Sequence, residues 1–84
     1  MIRRDDDVLR LDDRIRVEDV DALVGELLAH PEVVTIDLSG CTGLHAAAVQ
    51  VLKAARRRVV PPADPFLRKW VWPFLEPAQR QGEP

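Results

Sequence analysis

The sequence has one cysteine, no long apolar run and almost no excess of charge of either sign. Because Cys41 has no second cysteine to pair with, the 84-residue chain holds no internal disulfide, which fits a reducing compartment. Residues 1–7 are rich in Arg and Asp, whereas a secretory signal peptide needs an apolar core there. No apolar stretch approaches the roughly 20 residues that span a bilayer as a helix. These absences predict a cytoplasmic protein.

Net charge and composition argue against a general nucleic-acid-binding protein and against a disordered chain. The net charge of -2 and the pI of about 5.6 give the chain no general attraction to nucleic acid. With 46% hydrophobic and 31% charged residues, the composition is that of a folded protein rather than a disordered one. The length of 84 residues predicts one small domain with a thin stability margin.

Hydrophobic spacing predicts two strands and a helix in the first half of the chain. Apolar and polar residues alternate over residues 8–17, which is typical of two short strands, with Asp12 and Asp13 at the bend between them. From residue 18 the spacing changes to three and four residues, as on one face of a helix, and Pro31 ends that helix. The helical face consists of Val20, Leu23, Val24, Leu27 and Leu28.

A strand, a turn-rich loop and a second helix follow. Residues 33–38 form a β-branched run of strand length, and residues 39–43 contain the small and polar residues of a loop. The second helix is predicted over residues 44–58, with basic side chains near its carboxyl end. Prolines after residue 60 predict an irregular segment, in which residues 66–72 form a short helix that Pro73 bends or ends.

The stretch from residue 33 to residue 52, VVTIDLSGCTGLHAAAVQVL, resembles the signature of STAS domains, the anti-sigma-factor-antagonist family. In that family a strand ending in Asp-Leu-Ser-Gly leads to a loop, then to Asp-Ser-Ser-Gly-Leu and an apolar helix. Here residues 37–40 match the strand end without a gap, and Val49, Val51 and Leu52 take apolar helix positions. The similarity covers about residues 8–59.

The resemblance implies an α/β fold, a STAS-like mixed β-sheet packed with amphipathic helices. It also implies a truncation at the C-terminal end, because the family's final strand–helix–strand–helix portion has no counterpart after residue 60. We therefore expect a STAS-like core over residues 1–60 and a proline- and aromatic-rich segment over 61–75 that packs on the core or on a partner. Residues 76–84 are polar and are expected to be a disordered tail.

The family's phosphorylated serine falls on Ala46, which has no hydroxyl, so phosphoryl transfer at that position is excluded. In the family, the loop before the second helix and the first turns of that helix dock the partner protein. The corresponding residues here are Thr42, His45, Ala46, Ala47, Val49 and Gln50. Small side chains let a partner approach the backbone, and Val49 beside Gln50 gives an apolar spot with a polar rim. Alternatively, the three alanines are simply good helix formers.

Both tryptophans and both phenylalanines of the chain lie in residues 66–75. On one helix most of the apolar side chains of this segment share a face, while Trp72 points elsewhere. Three interpretations are open: a lid over the truncated sheet, a partner-binding or self-association surface anchored by Trp70 and Trp72, and a membrane-interface contact with Arg68 and Lys69 at the headgroups.

The side chains that could bind a metal or take part in catalysis form only weak candidate sites. Cys41 and His45 are four residues apart, a spacing that suits a metal site completed by Asp37 or a nucleophilic pair. The alternative is a small buried cysteine and a solvent-facing histidine. The amides at the start of the second helix could bind an anion, but no Lys-Ser or Lys-Thr pair of a P-loop follows. No cofactor, metal or catalytic set is predicted, so we do not expect an enzyme.

The charge clusters predict solvated surfaces. Residues 5–7 and 12–13 are acidic and fall near the terminus and at a turn, where carboxylates are usually solvated. Lys53 and residues 56–58 form the basic cluster, which has no neighbouring aromatic side chains to stack on bases. Nucleic acid is therefore not an expected partner.

The sequence thus predicts a non-catalytic protein–protein interaction module that is STAS-like and independent of phosphorylation. The expected partner is an anti-sigma-like kinase, a transporter ATPase or a structural subunit, with the chain as a regulator or as an accessory or assembly subunit. A second copy of the chain is a further candidate partner. The alternative is a peripheral membrane or scaffold adaptor that acts through residues 66–75. A minimal ligand binder at Cys41 and His45 is a third hypothesis.

Overall fold

The computed structural model describes the backbone of residues 1–81 and the side chains of residues 1–76. Within this part the chain forms six strands, a short 3-10 helix at Val17–Asp19 and four α-helices, none long and apolar enough to cross a membrane. In chain order the strands and α-helices are β1 (Ile2–Asp5), β2 (Val8–Leu11), β3 (Asp13–Ile15), α1 (Val20–Ala29), β4 (Thr35–Asp37), β5 (Cys41–Leu44), α2 (Ala46–Ala55), β6 (Arg58–Val60), α3 (Pro65–Trp70) and α4 (Trp72–Gln81).

Four of the strands form a mixed sheet in the order β1-β2-β4-β6. β1 and β2 are antiparallel, whereas β2, β4 and β6 are parallel. Parallel neighbours need a crossover, which includes α1 between β2 and β4 and α2 between β4 and β6. Leu9, Ile36 and Val59 lie side by side across the three parallel strands and are all buried. This architecture confirms the predicted α/β class with a mixed sheet.

The other two strands, β3 and β5, pair in parallel as a second sheet. The register shifts between Asp13 and Arg14, and Asp13 has a left-handed backbone with a φ of 60°. The chain therefore bends near Asp13 and passes from the first sheet to the second. The sequence predicts a loop over residues 39–43, but Cys41–Leu44 is a strand because its backbone pairs with β3.

One hydrophobic core joins both sheets to all four helices. The helices contribute Leu23, Leu27, Ala48, Leu52, Leu67 and Leu75, and the sheets and loops contribute Leu9, Leu11, Ile15, Val33, Ile36, Leu38, Cys41 and Val59. The predicted inward face of α1 is confirmed at Leu23 and Leu27 but is wrong at Leu28, which is 78% exposed. α1 therefore buries a narrower stripe than its apolar spacing predicts.

The second helix is shorter than the sequence predicts. α2 ends at Ala55 instead of residue 58, because Arg56 takes a left-handed backbone with a φ of 54° and stops the helix. The chain then enters β6. Val59 is buried there as a strand residue beside Ile36.

The chain after residue 60 is more regular than predicted. The Asp64 carboxylate accepts a hydrogen bond from the N–H of Leu67 at 3.0 Å and caps α3, and Pro65 occupies the first turn, where its missing N–H needs no partner. α4 continues to Gln81, through the first residues of the expected disordered tail. Residues 82–84 of that tail lie outside the described residues. The short helix predicted over residues 66–72 is present as α3, and a second helix, α4, follows it where the sequence predicts none.

Candidate interaction surface

His45 determines where α2 begins. Its backbone N–H donates to the carbonyl of Ile15 at 2.9 Å, which ties the end of β5 to β3. Its ring Nδ1 accepts from the N–H of Ala47 at 3.0 Å and so caps the helix. With Nδ1 used as an acceptor, the neutral ring carries its proton on Nε2. The first turn of α2 is therefore held in one place at the protein surface.

The residues predicted to dock a partner form one continuous stretch from β5 into α2. Those that are exposed are Thr42, His45, Ala46 and Gln50, and those that are half-buried are Ala47 and Val49. Ala48, which follows Ala47, has 0% exposure and belongs to the core. The alanines therefore differ in environment, because one fills the core while the others lie at or near the surface.

The C-terminal segment faces both inward and outward. Leu67 of α3 and Leu75 of α4 are each 1% exposed, so the segment covers part of the core. Phe66, Trp70 and Phe74 are 64%, 57% and 62% exposed. We call these three side chains, spaced four residues apart, the aromatic ridge. One segment thus covers the core and also presents a large apolar surface to solvent.

The two tryptophans have different environments. Trp72 is half-buried and packs against the core. Trp70 lies on the aromatic ridge, and Lys69 Nζ is 5.1 Å from the centroid of its ring, a distance typical of a cation–π contact. α3 ends at Trp70 and α4 begins at Trp72, so the break at Val71 separates the two side chains. Trp70 is the tryptophan with more surface to offer a partner.

The start of α2 and the aromatic ridge meet in an open pocket of about 290 Å³, which we call the α2–aromatic pocket. Its lining residues come from β5, α2 and the α3–α4 junction and are Leu44, Ala46, Val49, Gln50, Trp70, Val71 and Phe74. The sequence treats the two regions as separate candidates, and the structure brings them together. Of the predicted docking residues, Ala46, Val49, Gln50 and Trp70 line the pocket, whereas Thr42, His45, Ala47 and Trp72 do not.

Leu44 is a lining residue outside both predicted binding regions, and Val71 and Phe74 were predicted only as members of the aromatic segment over residues 66–75. The available signal was the position of Val49, an apolar residue on the outward face of an otherwise small and polar helix surface. An apolar side chain on that face indicates that another apolar segment packs beside it, and the aromatic segment over residues 66–75 is the candidate that the sequence offers. Spacing alone, however, does not show which flank of α2 receives that segment.

Cys41 and His45 are not placed as a reactive pair. Cys41 begins β5 and His45 follows its last residue, which separates them by about 13 Å along an extended strand. The Cys41 thiol is buried and donates to the carbonyl of Gly43 at 3.2 Å, and burial raises its pKa. Asp37 accepts from the N–H of Ser39 at 2.9 Å. Among residues 1–76, no group of three His, Cys, Asp or Glu side chains could hold a metal ion.

A second open pocket, of about 440 Å³, lies between β3 and the start of α2. Arg14, Arg16 and His45 contribute to its wall, together with Glu18. This is where the sequence suggests an anion on free helix amides. The side chain of His45 already accepts from the N–H of Ala47, so one of those amides is satisfied within the chain.

Comparison with known proteins does not assign the chain to a family or a function, because no family model, curated protein or solved structure matches it. The functional argument therefore depends on the geometry of the pockets and on the chemistry of the residues that line them.

Proposed function

We propose that this chain is a non-catalytic protein-binding module that takes an apolar segment of a partner protein into the α2–aromatic pocket. The observation that carries the proposal is the convergence of α2 and the aromatic ridge on one open, largely apolar pocket. Contiguous apolar surface of this kind is typical of protein–protein interaction sites. Tryptophan, which lies at the wall of this pocket as Trp70, is enriched among residues that anchor interfaces.

The lining indicates what the partner presents. Val49 and Phe74 suit an apolar side chain, while the amide of Gln50 offers a hydrogen bond at the rim. Arg68 and Lys69 are exposed beside the ridge and favour acidic residues next to the inserted side chain. An amphipathic helix with acidic flanks combines these features, and helices of this type commonly bind in apolar grooves.

Binding in this pocket would not be switched by phosphorylation at the start of α2. Ala46 is exposed and lines the pocket, at the position that corresponds to the phosphorylated serine of STAS domains. An alanine has no oxygen to carry a phosphoryl group. What supports a STAS-like assignment is the ungapped match of residues 37–52 to the family signature.

Two biological roles agree with such a module. One is a regulator that is permanently able to bind, acting on an anti-sigma-like kinase. The other is an accessory or assembly subunit that joins a transporter ATPase or a structural subunit to a larger complex. Both roles use the same pocket, and the identity of the bound protein distinguishes them.

The proposal is tested with two matched arginine variants. Ala46→Arg places a long charged side chain in the pocket, whereas Ala22→Arg adds the same side chain at an exposed site on α1. Wild type and Ala22→Arg are expected to recover the same protein from the native cell, and Ala46→Arg is expected to lose it. With the purified partner, Ala46→Arg should raise the Kd about tenfold or more. If both arginine variants bind like wild type, the pocket is not the binding surface.

A second candidate function is contact with a membrane surface, favoured by the aromatic ridge beside Arg68 and Lys69. Co-sedimentation with vesicles of phosphatidylcholine and phosphatidylserine separates it from protein binding. A membrane adaptor would sediment with these vesicles, and Trp70→Ala would reduce the bound fraction more than Trp72→Ala. A protein-binding module would stay in the supernatant in all three forms.

A further inference from the structure

The open pocket of about 440 Å³ between β3 and the start of α2, which we call the β3–β5 pocket, has a different chemistry from the proposed protein-binding surface. Its wall carries Arg14 and Arg16 from β3 and the residue after it, and His45 from the end of β5. It shares only Leu44 with the α2–aromatic pocket, whose lining has no charged residue. The β3–β5 pocket therefore suits another ligand, and its role does not depend on the proposed function.

The strand register places the three basic residues on one face of the second sheet. Ile15 of β3 lies opposite Leu44 of β5, and the N–H of His45 donates to the carbonyl of Ile15 at 2.9 Å, which continues the register to Arg16 and His45. Because side chains alternate along a strand, Arg14, Arg16 and His45 lie on the face opposite the buried Ile15. Neighbouring positions on that face are about 5–7 Å apart. All three side chains are thus within reach of one small anion.

Gly43 allows the Arg14 side chain to lie across β5. A side-chain carbon added at Gly43 would lie 3.2 Å from Arg14 Cγ and 3.3 Å from Arg14 Nε, which is closer than ordinary van der Waals contact. Gly43 does not have a positive φ, so its backbone conformation is open to other residues. What requires glycine here is the close approach of Arg14, which brings the guanidinium to the pocket wall.

The positive charge of the pocket is not neutralised within the chain. Among residues 1–76, neither Arg14 nor Arg16 forms an ion pair, and Glu18, which also lines the wall, pairs with neither of them. The nearby Asp19 carboxylate accepts from the backbone N–H of Arg16 at 2.9 Å and is not a lining residue. The wall thus has two arginines against one carboxylate, although the whole chain has a net charge of -2.

We propose that the β3–β5 pocket binds the phosphate group of a small molecule. The N–H groups of a guanidinium match phosphate oxygens, and a tetrahedral phosphate accepts hydrogen bonds from several directions at once. Arg14 and Arg16 supply two positive charges for a phosphate dianion. His45 uses Nδ1 to cap α2, so its Nε2–H supplies a further donor. The donors are side chains, so the site does not depend on the amides at the start of α2.

The pocket favours an organic phosphate over inorganic phosphate. Val17, which is 52% exposed, lies on the same wall as the arginines. An apolar group attached to the phosphate would cover this side chain, whereas inorganic phosphate would leave it in water. The volume of the pocket also lies in the range of small-molecule sites. The ligand class is therefore a phosphomonoester with an apolar group.

An NMR titration of the full chain with phenyl phosphate tests the proposal. We expect the Nε–H signals of Arg14 and Arg16 and the backbone signals of Gly43 and His45 to shift together. Inorganic phosphate should shift the same signals with a Kd about threefold higher or more, because it lacks the apolar contact. Equal Kd values would overturn the assignment of an organic ligand. A failure of both compounds to shift these signals at millimolar concentration would overturn the site.

Matched variants separate the site from the general charge of the chain. Arg14→Gln and Arg16→Gln should each raise the Kd for phenyl phosphate about fivefold or more, because each removes a charged hydrogen bond. Arg58→Gln, the same change at an exposed arginine of β6 outside the pocket, should leave the Kd within about twofold. Glu18→Gln should lower the Kd, because it removes the negative charge from the wall. An Arg58→Gln effect as large as that of the two pocket arginines overturns the proposal.

Gly43→Ala tests the placement of Arg14 without changing any charge. The added methyl group would push the Arg14 side chain aside, so the Kd for phenyl phosphate should rise about twofold or more. In an Arg14→Gln background the same change should have no further effect on the Kd. Circular dichroism confirms that every variant is folded. An equal rise with and without the Arg14 guanidinium would contradict the assigned position of this side chain and overturn its role in the site.

Discussion

The carboxylate of Asp12 occupies the space that the first side-chain atom would need at Gly40. Asp12 follows β2 and Gly40 precedes β5, so this contact lies where the chain passes between its two sheets. The carbonyl of Gly40 accepts from the N–H of Asp13 at 2.9 Å, and Asp12 pairs with Arg3 at 3.5 Å. The close approach of the two segments depends on the absence of a side chain at Gly40.

We expect Gly40→Ala to lower the free energy of unfolding by about 1–2 kcal/mol, because the new methyl group must displace the Asp12 carboxylate. In an Asp12→Ala background the same change should cost much less. Gly25→Ala is the control, because nothing lies within 4 Å of its added methyl group, and it should raise stability by about 0.5–1 kcal/mol. Urea unfolding measures all four variants. An equal loss with and without Asp12 would contradict this account of the contact.

Arg56 has a left-handed backbone at the end of α2, a conformation that costs a residue with a side chain more than it costs glycine. Arg56→Gly should therefore raise the free energy of unfolding by about 0.5–1 kcal/mol. Lys53→Gly, inside α2, should lower it by about 1 kcal/mol and shows what glycine costs where the backbone is helical. Thermal unfolding followed by circular dichroism distinguishes the two. Destabilisation by both changes would contradict the prediction.

Asp37 should contribute stability that is lost in acid. Burial alone would raise its pKa, but hydrogen bonds from the backbone and hydroxyl of Ser39, with the charge of Arg10, outweigh burial and lower the pKa below 3.8. A lowered pKa in the folded state means that the contribution is complete above about pH 4 and is lost as the pH falls through the folded-state pKa. Asp37→Asn should therefore cost about 1 kcal/mol near pH 7, and the cost should shrink below about pH 4.

Urea unfolding at several pH values measures this difference. Asp5→Asn removes the same charge from an exposed residue that forms no ion pair within residues 1–76, so it controls for net charge. A cost of Asp37→Asn that is constant down to strongly acidic pH would show that the carboxylate charge is not what stabilises the turn.

The two tryptophans should respond differently to truncation. Trp72→Ala should lower the free energy of unfolding by about 1–3 kcal/mol, because its half-buried ring packs against the core. Trp70→Ala should change it by less than about 0.5 kcal/mol, because more than half of that side chain is exposed. Urea unfolding of both variants, under identical conditions, provides the comparison. Equal destabilisation would mean that Trp70 belongs to the core rather than to a binding surface.

The sequence predicts the elements whose burial is one-sided and periodic. Leu23 and Leu27 repeat on one face of α1 and are buried as the spacing indicates. β1 was not predicted, because it lies at the edge of the sheet, where Arg3 and Arg4 stay exposed and the strand needs no alternation of apolar and polar residues. β5 was not predicted, because it contains Gly43, and glycine is a residue type more common in turns than in strands. Only the pairing with β3 makes this segment a strand.

The site could be predicted only in pieces. Local sequence indicated the start of α2 and the aromatic segment, each by its own pattern. The aromatic segment lies beside α2 because Leu67 and Leu75 are buried in the core. These are long-range contacts, which the periodicity of the sequence does not specify. The break at Val71 also matters, because it lets α4 take a new direction and bring Phe74 to the pocket beside Val49.

The central strand β4 is three residues long, and its neighbours β2 and β6 come from opposite sides of it in the sequence. Both pairings close long loops, whereas α1 and α2 form from local contacts, so we expect sheet closure to limit the rate of folding. Before β6 pairs with β4, Ile36 lies in a strand whose free edge can pair with another unfolded molecule. Refolding yield should consequently fall as protein concentration rises, even though the folded molecule keeps this apolar strand in the middle of its sheet.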